Sequence, residues 1–276
     1  MKVLREKYEQ LIAYLSSLES AVVAFSGGVD STLLLYATKE ALGDQVLAVT
    51  SASETIPERE LEQAKTLADK IGVNHQVIYT QEMERQDFSS NPPNRCYYCK
   101  QELFRELWAI AEAYDYKYIL EGSNYDDTGD YRPGLQAVEE NQVKSPLLEV
   151  GITKTEVRTL SRQFNLPTWN KPAMACLSSR FPYGEALTRE KIKQVEAGED
   201  ILQAMGFSQF RLRYHGELAR IEIPQEEFEL AIEQRQKIVE ALTELGFDYI
   251  TLDLAGYRSG SMNKGIKSSD DSDSEK

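Results

Sequence analysis

One hexapeptide limits what this chain can become: Ser26-Gly27-Gly28-Val29-Asp30-Ser31, set between the apolar run Ala21-Val22-Val23-Ala24-Phe25 and the segment from Thr32 to Leu42. An unalternated β-branched and aromatic run predicts a parallel strand buried on both faces, and the Leu-rich segment after the glycines predicts a helix. The hexapeptide is then a strand-to-helix turn. Two glycines there let backbone N–H groups approach a ligand with no Cβ in the way, and the helix start adds unpaired donors and the positive end of its dipole. Such a turn suits an anion, and a Gly-rich βα turn that binds nothing is the plain alternative. Ser26 and Ser31 add hydroxyls; Asp30 would either cap the helix or reach a Mg²⁺ carried by phosphates. No Gly-Lys-Ser/Thr follows and the Gly-x-Gly-x-x-Gly spacing is absent, which excludes a Walker A loop and a dinucleotide fingerprint.

The flanking chain repeats the same alternation. Gln45–Ala52 predicts a second buried strand, Pro57–Ile71 a helix and Val73–Tyr79 a third strand, the pattern of a doubly wound parallel sheet whose ligands sit at the carboxyl ends of its strands. Ser51 falls at such an end. Thr80 to Arg95, with Asn91-Pro92-Pro93, predicts a loop carrying the chain to Cys96-Tyr97-Tyr98-Cys99, and a helix from Lys100 to Tyr114 follows. Tyr118–Asn124 predicts a fourth strand and its turn. Asp130–Gly134 predicts a loop whose Arg132 would neutralise phosphate charge, and Lys154–Asn165 a helix capped by Thr153. From Leu187 the order becomes helix, two strands, a helix from Gln225 to Leu245 and a last strand, a small α+β unit. The expected division is therefore an α/β domain over 1–185, a small α+β domain over 186–260, and an acidic tail over 261–276 expected to be disordered.

A formal net charge of -14 argues against a nucleic-acid footprint. The N-terminus has no signal-peptide core and no run reaches membrane-spanning length, so a cytoplasmic protein with no membrane partner is expected. Three cysteines in 276 residues make no disulfide framework. Cys96, Cys99 and Cys176 could bind zinc with a fourth ligand, exchange disulfides, hold three irons of a 4Fe-4S cluster, or be unrelated thiols. Arg211 and Arg213 fall on one face of a strand, and two guanidinium forks suit a phosphate monoester; Ser179 and Arg180 could join them. Solvated arginines at a sheet edge are the plain alternative. Trp108 and Trp169 are expected to fill core, and Tyr97 and Tyr98 to pack.

The hexapeptide resembles the pyrophosphate-binding loop of the ATP pyrophosphatase (PP-loop) superfamily, whose members adenylylate an oxygen and release pyrophosphate. That resemblance implies ATP and Mg²⁺ as cofactors and makes Glu121, Gly122 and Asp127, after the fourth strand, candidates for the ATP site beside Ser26, Gly27, Gly28, Asp30, Ser31 and Ser51. Across nearly the whole chain, through Asp130–Gly134, Trp169–Gly184, Arg211–His215, Leu218–Glu222 and Asp253–Gly260, the sequence is similar to the LarE family of ATP-dependent sulfur transferases. LarE proteins help build the nickel-pincer cofactor of lactate racemase and related enzymes. The resemblance implies adenylylation of a carboxylate of pyridinium-3,5-biscarboxylic acid mononucleotide, attack by sulfur, and a homo-oligomer, with a hexamer as the form it suggests. Ser179, Arg180, Arg211 and Arg213 would hold the substrate phosphate. Some members sacrifice one cysteine, matching Cys176, and others use three cysteines to hold a 4Fe-4S cluster that carries sulfide. With Cys96 and Cys99 present, the second route is the one expected, from a sulfur donor the sequence does not name. A PP-loop tRNA thiolase, an amide-forming ligase and a nucleotide-sensing scaffold are the rivals.

Overall fold

The computed structural model describes residues 2–129, 133–172 and 175–258. Expectations placed on Asp130, Tyr131 and Arg132, and on the tail after 260, lie outside the described residues. The described chain forms two compact units, one of residues 2–88 and 94–172, the other of residues 89–93 and 175–258.

In the first unit the order is α1 (Lys2–Ser16), β1 (Ala21–Ala24), α2 (Val29–Leu42), β2 (Val46–Ala52), α3 (Glu58–Ile71) and β3 (Asn74–Tyr79). After the short α4 (Gln86–Ser89) come α5 (Arg95–Tyr114), β4 (Tyr118–Leu120), α6 (Pro133–Glu140), α7 (Pro146–Glu149) and α8 (Lys154–Gln163). The four strands are all parallel, in the order β3-β2-β1-β4. Both faces are covered, which is why the strands read as unbroken apolar runs. Ala21, Val23, Val46 and Ala48 pack with Leu33, Leu34, Ala64 and Val157 on one face. Val22, Leu47, Val49 and Ile119 pack with Phe104, Leu107 and Ala137 on the other. The strand order reverses between β1 and β4, so the crevice at their carboxyl ends is where a doubly wound sheet takes its ligand. The turn at Ser26 opens there.

The second unit carries α9 (Arg189–Ala204), β5 (Arg211–His215), β6 (Leu218–Glu222), α10 (Phe228–Glu233), α11 (Arg235–Glu244) and β7 (Tyr249–Leu252). Strand β6 is central, antiparallel to β5 and parallel to β7. Gly198 lets α9 close on β5, since a Cβ there would lie 2.3 Å from Leu212 Cδ2. The single helix expected from Gln225 to Leu245 is instead a short 3₁₀ turn (Gln225–Glu227) followed by α10 and α11. The fourth strand runs over Tyr118–Leu120 and then into the expected turn, where Gly122 packs on α2.

Candidate active site

Gly27 adopts φ +67°, a conformation open to glycine, and a Cβ at that position would lie 3.2 Å from Ala64 of α3. The turn is thus pressed against a helix and can be built only with glycine. The hydroxyls of Ser26 and Ser31 lie 3.1 Å apart, the Ser31 hydroxyl also faces the Ser26 amide, and Gly28 N–H points to Ser26 Oγ at 3.4 Å. Thr32 closes the first helical turn on the Gly28 carbonyl through both its amide and its hydroxyl. Donors are therefore gathered around one concave turn at a helix N-terminus, an arrangement that favours phosphate. Ser51, at the end of β2, bonds Thr80 at 2.7 Å.

Asp30 does not cap α2, whose N-cap is Gly28 with no side-chain bond. It accepts instead from Asn124 Nδ2 at 3.2 Å and from the ammonium of Lys154. Asn124 also donates to Asp127, through its amide at 3.0 Å and its side chain at 3.1 Å. Gly122 allows this turn to approach, because a Cβ would sit 3.0 Å from the Ser31 amide. Lys154 is the first residue of α8, fixed by a capping box in which Thr153 and Glu156 satisfy each other's backbone amides. Lys7 braces the box by donating to Glu156 and to the Gly151 carbonyl. A lysine is thereby aimed at the anion turn by helix geometry alone.

Glu121 is buried and accepts from Ser145, from the Ser123 amide and hydroxyl, and from Lys100 at 3.0 Å. Burial alone would raise its pKa, but the Lys100 ammonium and the serine hydroxyls outweigh it and hold the carboxyl below its ordinary range. Lys100 reaches it by passing Gly134, where a Cβ would lie 3.0 Å from Lys100 Cδ. Lys100 belongs to α5, and so do Cys96 and Cys99: the helix starts at Arg95, and the cysteines are not on a loop as expected. Three residues apart, they share one face of its first turns, Cys96 exposed and Cys99 half-buried. Among the described residues no three His, Cys, Asp or Glu side chains are grouped to hold a metal ion.

Cys176, half-buried, precedes a 3₁₀ turn (Leu177–Arg180) in the second unit. Arg180 is fully buried, forms a fork with Glu199 at 2.8 and 2.9 Å, and donates to the carbonyls of Ala175 and Cys176. It shapes the cysteine turn from inside. Arg213 donates to Glu222 at 2.7 Å and to the Ser179 carbonyl at 2.6 Å. Arg211 lies over the Tyr257 ring, and burial, with Arg180 next in weight, lowers its pKa to about 10. Ser179, Arg180, Arg211 and Arg213 are therefore one cluster, its three arginines buried and Ser179 half-buried, not a solvated sheet edge.

Comparison with known proteins decides the family. A profile for NAD synthase matches residues 3–96, which include the glycine turn. An uncharacterized protein of Synechocystis sp. is 43% identical over 95% of this chain and 98% of its own length. The pyridinium-3,5-bisthiocarboxylic acid mononucleotide synthase of Lactiplantibacillus plantarum is 40% identical over 95% of this chain and 96% of its own length. This chain belongs to the LarE family. It is an ATP-using sulfur transferase of the PP-loop class. An uncharacterized protein of Methanocaldococcus jannaschii is 31% identical over 86% of the chain and 90% of its own length.

In this LarE-family chain, sequence reasoning missed the lysines. Lys100, Lys154 and Lys171 all point at the glycine turn or the β4 turn, and only the Thr-x-x-Glu capping signature before α8 marked one of them. Trp169 does not fill core; it is 38% exposed and lies beneath the Arg162 guanidinium. Trp108 donates to the Asn141 carbonyl at 2.9 Å. Among the described residues no helix is long and apolar enough to cross a membrane.

Proposed function

We propose that the chain replaces carboxylate oxygen by sulfur on pyridinium-3,5-biscarboxylic acid mononucleotide, giving the thiocarboxylate precursor of the nickel-pincer cofactor. The observation that carries this reading is identity of 40% along 95% of the chain to the bisthiocarboxylic acid mononucleotide synthase. Ser26, Gly27, Gly28 and Ser31 receive the pyrophosphate end of ATP, with Ser51, Glu121, Gly122 and Asp127 completing the site. Lys154 leaves Asp30 for a phosphate oxygen as ATP arrives. Asp30 is then available to hold Mg²⁺, which when bound offsets the charge of the leaving pyrophosphate. A substrate carboxylate oxygen bonds to the α-phosphorus and the bond to pyrophosphate breaks. A sulfur nucleophile next bonds to the acyl carbon, and AMP leaves with the original oxygen.

Ser179, Arg211 and Arg213 take the substrate phosphate, and Arg180, forked to Glu199, fixes the turn that carries Ser179. Arg211 supports this: its guanidinium is buried, with Arg180 and Arg213 nearby, so an anion bound there meets several cations at once. The donor set fits a 4Fe-4S cluster in chemistry, with Cys96 and Cys99 on one helix face and Cys176 as third ligand. Its open iron would supply the sulfide. The acidic composition disfavours the tRNA thiolase reading.

Anaerobic purification with iron and sulfide quantification, on wild type and on Cys96→Ala, Cys99→Ala and Cys176→Ala, tests the sulfur route. About four irons per chain, lost in all three variants, is expected. Absence of iron, with only Cys176 required and converted to dehydroalanine by loss of H₂S, would replace the cluster with a sacrificial cysteine.

A further inference from the structure

Lys171 has no part in the chemistry above, yet its ammonium has three acceptors. These are Glu60 Oε2 at 2.7 Å, Gln63 Oε1 at 2.9 Å and the carbonyl of Gly27 at 3.2 Å. The third partner belongs to the anion turn itself. The Gly27–Gly28 peptide is trans, so its C=O and N–H point to opposite sides. With the carbonyl directed at Lys171, the Gly28 N–H is directed at Ser26 Oγ, toward the hydroxyls of the turn. A peptide between two glycines meets little steric resistance to flipping, and the flipped form would present a carbonyl oxygen to an arriving anion.

We infer that Lys171 is a positioning residue that locks the Gly27–Gly28 peptide with its N–H facing the pyrophosphate. An ammonium on the carbonyl also polarises the peptide and strengthens that N–H as a donor. The lysine is itself held in place. Arg158 of α8 donates to the carbonyls of Trp169 at 2.8 Å and Lys171 at 2.9 Å, while Arg162 lies 5.0 Å from the Trp169 ring centroid. Helix α8 therefore serves the turn twice, through Lys154 on Asp30 and through the Trp169–Lys171 segment on Gly27. The side chain is only 15% exposed, so its bonds face little competition from water.

This inference rests on the nucleotide site proposed above, and the test separates the two. Calorimetric titration of Mg·ATP, pyrophosphate and AMP into wild type, Lys171→Met, Lys171→Gln and Lys171→Arg is the experiment. Lys171→Met should lose about ten- to a hundred-fold in affinity for ATP and pyrophosphate, the usual effect of removing a charged hydrogen bond, with AMP unaffected. Lys171→Gln, which retains a donor without charge, should fall between, and Lys171→Arg should lie nearest wild type. A wild type that binds neither ATP nor pyrophosphate overturns the nucleotide site, and this inference with it. Equal affinity of wild type and Lys171→Met overturns the inference alone, as does a loss that falls equally on AMP. Should Lys171→Met fail to fold by circular dichroism, the Gln and Arg variants carry the same comparison.

Discussion

The two units handle positive charge in opposite ways. Around the glycine turn the cations are lysines on long stems, and the Lys154–Asp30 pair keeps some solvent, at 35% and 20% side-chain exposure. In the second unit Arg180 and Glu199 are both fully buried and joined as a fork. An ammonium is a point charge with three rotatable donors, and it can trade a carboxylate for a phosphate without leaving anything stranded in a dry interior. A buried guanidinium cannot, because its carboxylate would lose its partner where no water replaces it. The lysine region is built for exchange with a ligand that comes and goes. The Arg180–Glu199 fork is built to hold one shape, that of the turn after Cys176.

Substitutions can break this contrast in order of expected effect. Glu199→Gln should cost about 3–5 kcal/mol in denaturant unfolding, since it removes the buried carboxylate charge that faces the Arg180 guanidinium. Asp30→Asn, which cuts a pair with partial solvent access, should cost under about 1 kcal/mol in the same assay. It should nevertheless abolish ATP-dependent AMP formation, because the carboxylate is lost where Mg²⁺ is proposed to bind. Comparable destabilisation by the two changes would erase the distinction between the regions.

Acid titration gives a smaller, sharpening effect. Glu121 is held below its ordinary pKa chiefly by Lys100, opposing the effect of its burial. The unfolded chain therefore takes up the proton first on acidification, and the stability this carboxylate contributes is present above the unfolded pKa, near about 4.3. It is lost as pH falls through the lower folded value. Lys100→Met should reduce stability at neutral pH and flatten its dependence on pH below about 5, as read by urea unfolding. An unchanged acid slope would mean that the serine hydroxyls alone hold the charge.

Much of the first unit could be read from the chain itself. The apolar runs at Ala21 and Val46 announced strands covered on both faces, and the two glycines between strand and helix announced an anion turn; both depend on local chemistry. The lysines did not stand out because a lysine on an amphipathic helix or beside a proline reads as solvated. Only the tertiary approach of α8 and of the Trp169–Lys171 segment gives them acceptors. The early start of α5 was hidden by Pro92 and Pro93 and by a Cys-Tyr-Tyr-Cys stretch of weak helix propensity, which packing on β1 and β4 overrides. Arg211 and Arg213 were expected on one face, as observed, but alternation could not show that their strand is buried. The break near Gln234 between α10 and α11 has no breaker residue to mark it, and nothing in the sequence explains it.

The central claim is that this PP-loop spends ATP to exchange oxygen for sulfur on a pyridinium mononucleotide. The direct measurement is mass spectrometry of that substrate after anaerobic incubation with the purified protein, Mg·ATP and a sulfide source, with AMP quantified in the same sample. The account predicts a product heavier by the difference between sulfur and oxygen, formed together with AMP and absent in Cys176→Ala. AMP released with no sulfur in the product, or thiolation that survives loss of Cys176, would contradict it.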